Sequence, residues 1–178
     1  VGSFVEIDFA DPANPVIEKL DFDFASCGYA LCIVDTGGSH SDLTDEYAAV
    51  RKEMESVAEY LGKSVLREVD EDEFMKNIAD IRSSCGDRAV LRAMHFYGDN
   101  ARVEKQAAAL KAGDFETFKK YIIESGRSSY MYNQNVYSCK KASEQPVSLA
   151  LSLSEKLLDG CGAWRVHGGG FAGTIQAF

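Results

Sequence analysis

Two stretches near the start of the chain alternate apolar and acidic residues with a period of two. They are FVEIDF (4–9) and KLDFDF (19–24), and the intervening DPANP (11–15) has the composition of a turn. Because successive side chains of a strand point to opposite faces, the alternation predicts a hairpin of two half-buried strands. The next stretch, YALCIVDTGG (29–38), has an almost continuous apolar middle. It predicts a strand covered on both faces.

A helical period follows these strands. From 43 to 61 apolar residues recur at three- and four-residue steps, which predicts a helix with Asp42 as its N-cap and Gly62 at its end. Further helices are predicted over 70–81, 87–112, 114–124 and 143–158. Two short strands, AWRVH (163–167) and TIQAF (174–178), are predicted around a glycine loop. Strands at both ends and helices between them predict an α+β domain rather than a doubly wound sheet.

Composition narrows the class of partner. The chain has 19 Lys and Arg against 28 Asp and Glu, a net charge of -9, which argues against binding to nucleic acid or to an anionic membrane. The five cysteines are odd in number and irregularly spaced, which predicts reduced, mostly buried thiols in a cytoplasmic protein. The three histidines do not fall at ligand spacing to a cysteine, so no metal site is predicted.

Both ends of the sequence are abrupt. The chain begins with Val1, close to a predicted strand, and stops at Phe178 within an apolar run. From these ends we expect a piece of a longer polypeptide.

The glycine loop runs Gly168-Gly169-Gly170-Phe171-Ala172-Gly173 and fits the letters G-x-G-x-x-G of a dinucleotide-binding loop. That fingerprint requires a helix directly after the loop, whereas the five residues that follow favour a strand, and the Lys-Ser/Thr of a P-loop is absent. Two interpretations remain. The loop is a strand connection that needs positive φ angles, or its missing Cβ atoms let another backbone or a phosphate come close.

The stretch WRVHGGGFAGTIQAF (164–178) resembles the third motif of the small-molecule kinases named after galactose, homoserine, mevalonate and phosphomevalonate (GHMP), in the form found in galactokinases. Other stretches resemble galactokinase segments in the same order, so that the resemblance spans nearly the whole chain. They are LCIVDTGGSHSDLTDEYAAVR (31–51), LREVDEDEF (66–74), RAMHFYGDNARV (92–103) and LKAGDFETF (110–118).

The resemblance implies a two-lobed enzyme that transfers the γ-phosphate of MgATP to the anomeric hydroxyl of galactose. It assigns 1–25 to the last strands of the N-terminal lobe and 26–178 to a C-terminal lobe of ferredoxin-like type. The family's phosphate loop and N-terminal sugar-binding signature have no counterpart here, and its catalytic-base Asp would lie a few residues before Val1. We therefore expect ATP and Mg²⁺ to be held through the missing N-terminal lobe, no catalytic residue in this chain, and no activity from the fragment alone.

The resemblance also assigns residues to the substrate side of the site. Tyr47 matches a Glu-Tyr position at which the phenol hydrogen-bonds a sugar hydroxyl; periodicity alone would pack its ring on the strand below. The glycine loop is expected to support the catalytic phosphate loop of the missing lobe through Gly168, Gly169, Gly170, Phe171 and Gly173.

Three more polar residues are cleft candidates. His40 corresponds to a histidine often present before the helix, and we expect it to order that loop rather than to catalyse. Asn133 and Asn135 lie in an amide-rich stretch near the substrate cleft of the family, with a purely structural loop as the alternative.

The remaining histidines and one arginine have simpler predicted roles. His95 is expected to be an ordinary packing or surface residue. Arg165 keeps the family's basic residue, either as an ion-pairing strand residue or as a phosphate neighbour. His167 and Ala172 depart from the family, which usually has Thr and Gly there; alanine is tolerable if its φ is negative.

Other classes of function remain open at this point. A related kinase would phosphorylate a different sugar, and a galactokinase-like sensor would bind sugar and a partner protein without catalysis. A free-standing α+β interaction module is the third alternative.

Overall fold

The computed structural model describes residues 4–39 and 42–178. Within them the strands are β1 (Phe4–Asp8), β2 (Val16–Leu20), β3 (Cys32–Asp35), β4 (Trp164–Val166) and β5 (Thr174–Ala177). The helices are α1 (Thr44–Tyr60), α2 (Glu71–Lys76), α3 (Ile78–Cys85), α4 (Asp87–Lys111), α5 (Phe115–Ser128) and α6 (Pro146–Leu158). None of these helices is long and apolar enough to cross a membrane.

The strands form two small antiparallel sheets. β1 pairs with β2, and β5 lies between β3 and β4 in the other sheet. The second sheet therefore joins the early part of the chain to its last residues, with the helices in between, which agrees with the predicted α+β class. The ferredoxin-like arrangement and a domain division after residue 25 stay predictions.

The hairpin is shifted from its predicted position. β2 occupies Val16–Leu20 instead of 19–24, and Leu20 pairs with Phe4, the first described residue. Beyond that pair the side chain of Asp23 accepts a hydrogen bond from the Ala25 amide at 3.0 Å and starts a short 3₁₀ helix. The local polar cap ends the strand that the alternation alone would continue.

The hairpin is also oriented opposite to the prediction. Val5 and Ile7 are exposed at 48% and 38%, whereas Glu6 on the other face forms an ion pair with Lys111 of α4 at 3.5 Å. Val5 and Ile7 thus lie outside the packed core, whereas the face that carries Glu6 meets α4.

The three larger apolar clusters hold the helices and sheets together. Aromatic rings join the end of the hairpin to α5, with Phe4 and Phe24 at 4.4 Å between centroids and Phe24 and Phe178 at 5.0 Å. A second cluster, centred on the fully buried Phe74, lies between α1, α3 and α4. The third packs α6 on β4 and β5 around Val147 and Val166.

The strand β3 does not match its predicted burial. It lies at the edge of its sheet and pairs only with β5 among the described strands, and Ile33 and Val34 are both exposed. Its continuous apolar run therefore belongs to an open edge, not to a strand covered on both faces.

Two helix predictions need correction. Asp42 is not an N-cap, because it has a left-handed φ of 65° and the capping position is taken by Leu43 without a side-chain hydrogen bond. The predicted helix over 70–81 is two helices, α2 and α3, separated at Asn77. By contrast, Asp114 caps α5 by accepting from the Thr117 amide at 3.0 Å, as its position after a glycine stop suggests.

The cysteines are free but not mostly buried. Cys32, Cys139 and Cys161 are exposed, while Cys27 and Cys85 are half-buried. The prediction of buried thiols was therefore wrong for three of the five.

A buried polar network links α4, α5 and β4. His95 Nδ1 lies 2.9 Å from Ser128 Oγ and His95 Nε2 lies 3.6 Å from Asp99 Oδ2. Asp99 accepts from Ser125 Oγ at 2.6 Å, and Ser125 accepts from Arg165 Nη1 at 2.6 Å. His95 is thus a packing histidine rather than a surface one. Arg165 reaches Asp99 only through the Ser125 hydroxyl, not by the direct ion pair that the sequence suggested.

Burial lowers the pKa of His95 below its usual range, with Asp99 opposing and Arg165 and Arg102 reinforcing the shift. The unfolded chain, with a histidine pKa of about 6.5, takes up a proton before the native protein does. We therefore expect the free energy of unfolding to decrease as the pH falls from 7 through 6.5 towards the lower native pKa. Urea unfolding at a series of pH values would measure this slope.

Two variants isolate the contribution of His95. His95→Gln should flatten the slope between pH 7 and 5.5. His167→Gln, at an exposed histidine that lies 3.0 Å from Thr174 Oγ1, should leave it unchanged. Equal slopes in the wild type and both variants would contradict the assignment.

Candidate functional site

The glycine loop connects β4 to β5. Gly168, Gly170, Phe171 and Gly173 have φ angles of 68°, 80°, 59° and 91°, and the strand β5 follows at Thr174. A strand connection with positive φ angles is therefore the correct interpretation, and the dinucleotide fingerprint is excluded because no helix follows. Ala172 is not among the residues with positive φ, which explains why alanine is accepted there.

Two of the loop glycines also allow a close approach, but to residues of this chain. A Cβ at Gly169 would lie 2.7 Å from Cε1 of Tyr47. A Cβ at Gly170 would overlap the backbone carbonyl of Asn135. Their missing side chains are thus required by Tyr47 and Asn135.

Hydrogen bonds hold the loop on these two residues. The Tyr47 hydroxyl donates to the Gly170 carbonyl at 2.8 Å, and Asn135 Nδ2 donates to the Gly169 carbonyl at 3.1 Å. The Phe171 amide donates to the Asn135 carbonyl at 2.5 Å. Burial raises the pKa of Tyr47. The phenol therefore stays protonated at neutral pH and can donate this hydrogen bond to Gly170.

Phe171 is part of the packed interior. It is buried against Leu43 and Ala172, and its ring meets the ring of Tyr47 edge-on at a centroid distance of 5.3 Å. At the end of the loop the Gly173 carbonyl accepts from the amide and the hydroxyl of Thr36 at 2.8 and 2.6 Å. Both loop residues thus make contacts within the chain; phosphate-loop support stays a prediction.

The amide-rich stretch after α5 forms an irregular turn. Residues Ser129–Asn133 make a π-helical turn that ends at Gln134, whose φ is 53° and whose amide donates to the Ser129 carbonyl at 2.8 Å. π-Helical turns occur frequently at functional sites. This turn brings Asn133 and Asn135 to the same cleft.

A buried arginine fixes the end of that turn. Arg92 of α4 is fully buried; its Nε donates to the Asn133 carbonyl at 3.0 Å, and its Nη1 lies 2.9 Å from Glu53 Oε2 of α1. Glu53 also pairs with Arg88. Burial lowers the pKa of Arg92 while Glu53 raises it. The ion pair therefore ties α1, α4 and the turn together behind the cleft.

The cleft itself has a volume of about 690 Å³. Tyr47, Asn133, Asn135, Gly168 and Gly169 form its polar end. Apolar side chains form much of the rest, including the hairpin tip; they are Phe9, Pro12, Val50, Met54, Val65, Leu66 and Phe96. Four charged residues also line it; they are Arg51, Glu55, Arg67 and Glu68. A mixed polar and apolar wall of this size suits a small polar ligand with carbon faces.

Of the predicted site residues, Tyr47, Gly168, Gly169, Asn133 and Asn135 meet at this cleft. His40 lies outside the described residues. Asn135 is buried and anchored to the loop, so the structural alternative for the amide-rich stretch also holds in part.

The sequence analysis missed Arg92, Glu53 and the hairpin tip. A signal for Arg92 was present, because it lies among Ala89, Ala93 and Phe96 on the apolar side of α4, where a charged residue needs a buried partner. The tip of the hairpin, which lines the cleft through Phe9 and Pro12, could not be found from the sequence. Its position at the cleft depends on tertiary packing.

No family model matches the chain. Galactokinase of Homo sapiens is 35% identical over 144 residues, which cover 81% of this chain and 34% of that protein. Galactokinase of Thermosipho africanus (strain TCF52B) is 31% identical over 160 residues, 88% of this chain and 41% of that protein. The chain thus spans between a third and about two fifths of the length of these relatives.

A solved structure agrees in fold. The structure of Lactococcus lactis galactokinase complexed with galactose matches with a TM-score of 0.70 and 21% identity, covering 99% of this chain and 42% of that one. The solved structure shares the fold of this chain. The two relatives, each more than 30% identical over more than two thirds of this chain, are both galactokinases. The chain therefore belongs to the galactokinase family.

Proposed function

We propose that the chain is the C-terminal part of a galactokinase, which transfers the γ-phosphate of MgATP to the anomeric hydroxyl of galactose. In this proposal Tyr47 and Asn133 contact the sugar, and the glycine loop supports the phosphate loop of the N-terminal lobe. The chain orients the acceptor sugar, while the phosphate donor and the catalytic base are held by the rest of the polypeptide.

The observation that carries the proposal is the meeting of Tyr47 with Gly168 and Gly169 at one cleft, at the positions where the sequence resembles galactokinases. The Tyr47 hydroxyl donates its hydrogen bond to the Gly170 carbonyl, so a contact with a sugar hydroxyl would use the phenol oxygen as the acceptor. Transfer of a phosphoryl group depends mainly on positioning and on stabilisation of charge, and this side of the site supplies positioning.

Within 4–39 and 42–178, no group of three or more His, Cys, Asp or Glu side chains lies together as a metal-binding cluster. Because the family's phosphate loop has no counterpart in this sequence, the proposal assigns MgATP to the N-terminal lobe of the parent protein and no step of its chemistry to this chain.

We expect the 178-residue chain alone to release no ADP from ATP in the presence of galactose, because no phosphate loop or catalytic base is assigned to it. The complete polypeptide that carries it should release ADP only when galactose is present. A coupled ADP-release assay measures both. Turnover by the isolated chain would contradict the division of roles; galactose binding without turnover in the complete polypeptide would favour a sensor.

A further inference from the structure

Asn133 combines a fixed backbone with a buried side-chain oxygen that lacks a hydrogen-bond donor. The residue is only 8% exposed, and its Oδ1 is buried without a hydrogen-bond donor from any described residue. Its carbonyl is held by Arg92, and Gln134 follows in a left-handed conformation. The backbone position is therefore set by the ion pair behind it and not by any contact of Oδ1.

Asn135 has its amide nitrogen engaged. Its Nδ2 donates to Gly169 and its carbonyl accepts from Phe171, so its side chain serves the loop. Asn135 Oδ1 is also buried without a donor, but the bond from Nδ2 to Gly169 fixes its carboxamide. The carboxamide of Asn133 makes no hydrogen bond with a described residue and is free to turn.

We propose that the carboxamide of Asn133 binds a hydroxyl group of the acceptor sugar and selects for uncharged sugars. The inference rests on the proposed function, because it names what the same cleft recognises. A buried acceptor left without a donor is costly in the free protein, and a ligand hydroxyl would supply the missing donor.

The chemistry of the amide favours a hydroxyl over other groups. Rotation about χ2 of asparagine has broad, roughly twofold minima, so a half turn exchanges Oδ1 and Nδ2 at the cleft wall. A hydroxyl can donate to the oxygen or accept from the nitrogen and is bound in either orientation. An uncharged amide cannot neutralise a carboxylate, which would lose hydration beside Val50 and Met54. The two arginines that line the cleft, Arg51 and Arg67, are already paired with Glu55 and Asp8.

The test measures binding of galactose and of each monodeoxygalactose to the complete polypeptide by calorimetry. Asn133→Ala should weaken galactose binding about tenfold. The monodeoxygalactose that lacks the contacted hydroxyl should bind equally to the wild type and to Asn133→Ala. Removing the hydroxyl and removing the carboxamide delete the same interaction. Asn100→Ala, at an exposed asparagine of α4, is the matched control and should bind like the wild type.

Thermal unfolding separates this role from a structural one. Removing an unpartnered buried oxygen should leave the Tm of the free protein unchanged or higher while binding becomes weaker. Any of three results would overturn the inference. They are galactose binding that Asn133→Ala leaves unchanged, the same factor of loss for every deoxy sugar, and tighter binding of galacturonate than of galactose.

The outcomes also separate this inference from the proposed function. Galactose-dependent ADP release, together with galactose binding that does not depend on Asn133, would overturn the inference and leave the proposed function intact. If galactose fails but glucose, mannose, arabinose or N-acetylgalactosamine binds in an Asn133-dependent way, the galactose assignment fails and the inference stands. Binding of none of these sugars would overturn the inference.

Discussion

Replacing Gly170 by alanine is expected to destabilise the protein by about 4 kcal/mol, in the range that only severe steric or buried-polar defects reach. The added Cβ would overlap the Asn135 carbonyl, and that carbonyl cannot retreat without losing its bond to the Phe171 amide. A positive φ of 80° adds its own strain for any residue with a Cβ. Urea unfolding of the variant and the wild type would measure the difference.

Gly168 provides the matched control in the same loop. Its φ is 68°, but a Cβ there would meet nothing within 4 Å. Gly168→Ala should therefore cost only the conformational strain, about 1 kcal/mol. Similar losses in the two variants would mean that the loop is not clamped on Asn135.

Replacing Arg92 by methionine is expected to destabilise the protein by about 3 kcal/mol. The substitution keeps most of the apolar stem but leaves the buried Asn133 carbonyl without the Arg92 donor. Glu53 loses one partner and keeps Arg88. Most of the loss therefore comes from a buried acceptor and a weakened ion pair, which unfolding in urea would report.

Two further variants sharpen this result. Arg51→Met removes a cation whose side chain is 82% exposed and which pairs with Glu55 at 2.6 Å, so its loss of stability should be much smaller than that of Arg92→Met. Adding Glu53→Gln to Arg92→Met should cost less than the sum of the single changes, because the two residues share one interaction. A loss for Arg92→Met as small as that for Arg51→Met would show that the buried pair does not stabilise the fold.

Sequence patterns predicted the helices better than the strands. The long helix α4 ends within a residue of its predicted position, because a glycine stop and an aspartate start at 113 and 114 are local signals. The orientation of the hairpin was not predictable, since alternation identifies two faces but not which one meets the helices. The exposed run of β3 has the same explanation: burial on both faces needs neighbours that periodicity does not name.

The site was predictable to the extent that it depends on single positions. Tyr47 and the loop glycines were found from their resemblance to a family, and the structure brings Tyr47, Gly168 and Gly169 to one cleft. What the residue pattern did not indicate is that Gly169 and Gly170 accommodate Tyr47 and Asn135. That pairing is a contact between distant parts of the chain, and a single sequence does not record it.

The distance along the chain between those partners has a consequence for folding. The bond from Tyr47 to Gly170 joins residues 123 positions apart, whereas α4 and α5 pack through a short connection. Closing such a long segment has an entropic cost that its few contacts offset only after the helices are in place. We therefore expect the helical hairpin to assemble early and the cleft to close in the last step of folding, so that a nascent chain would gain its ligand site only after β5 has been synthesised.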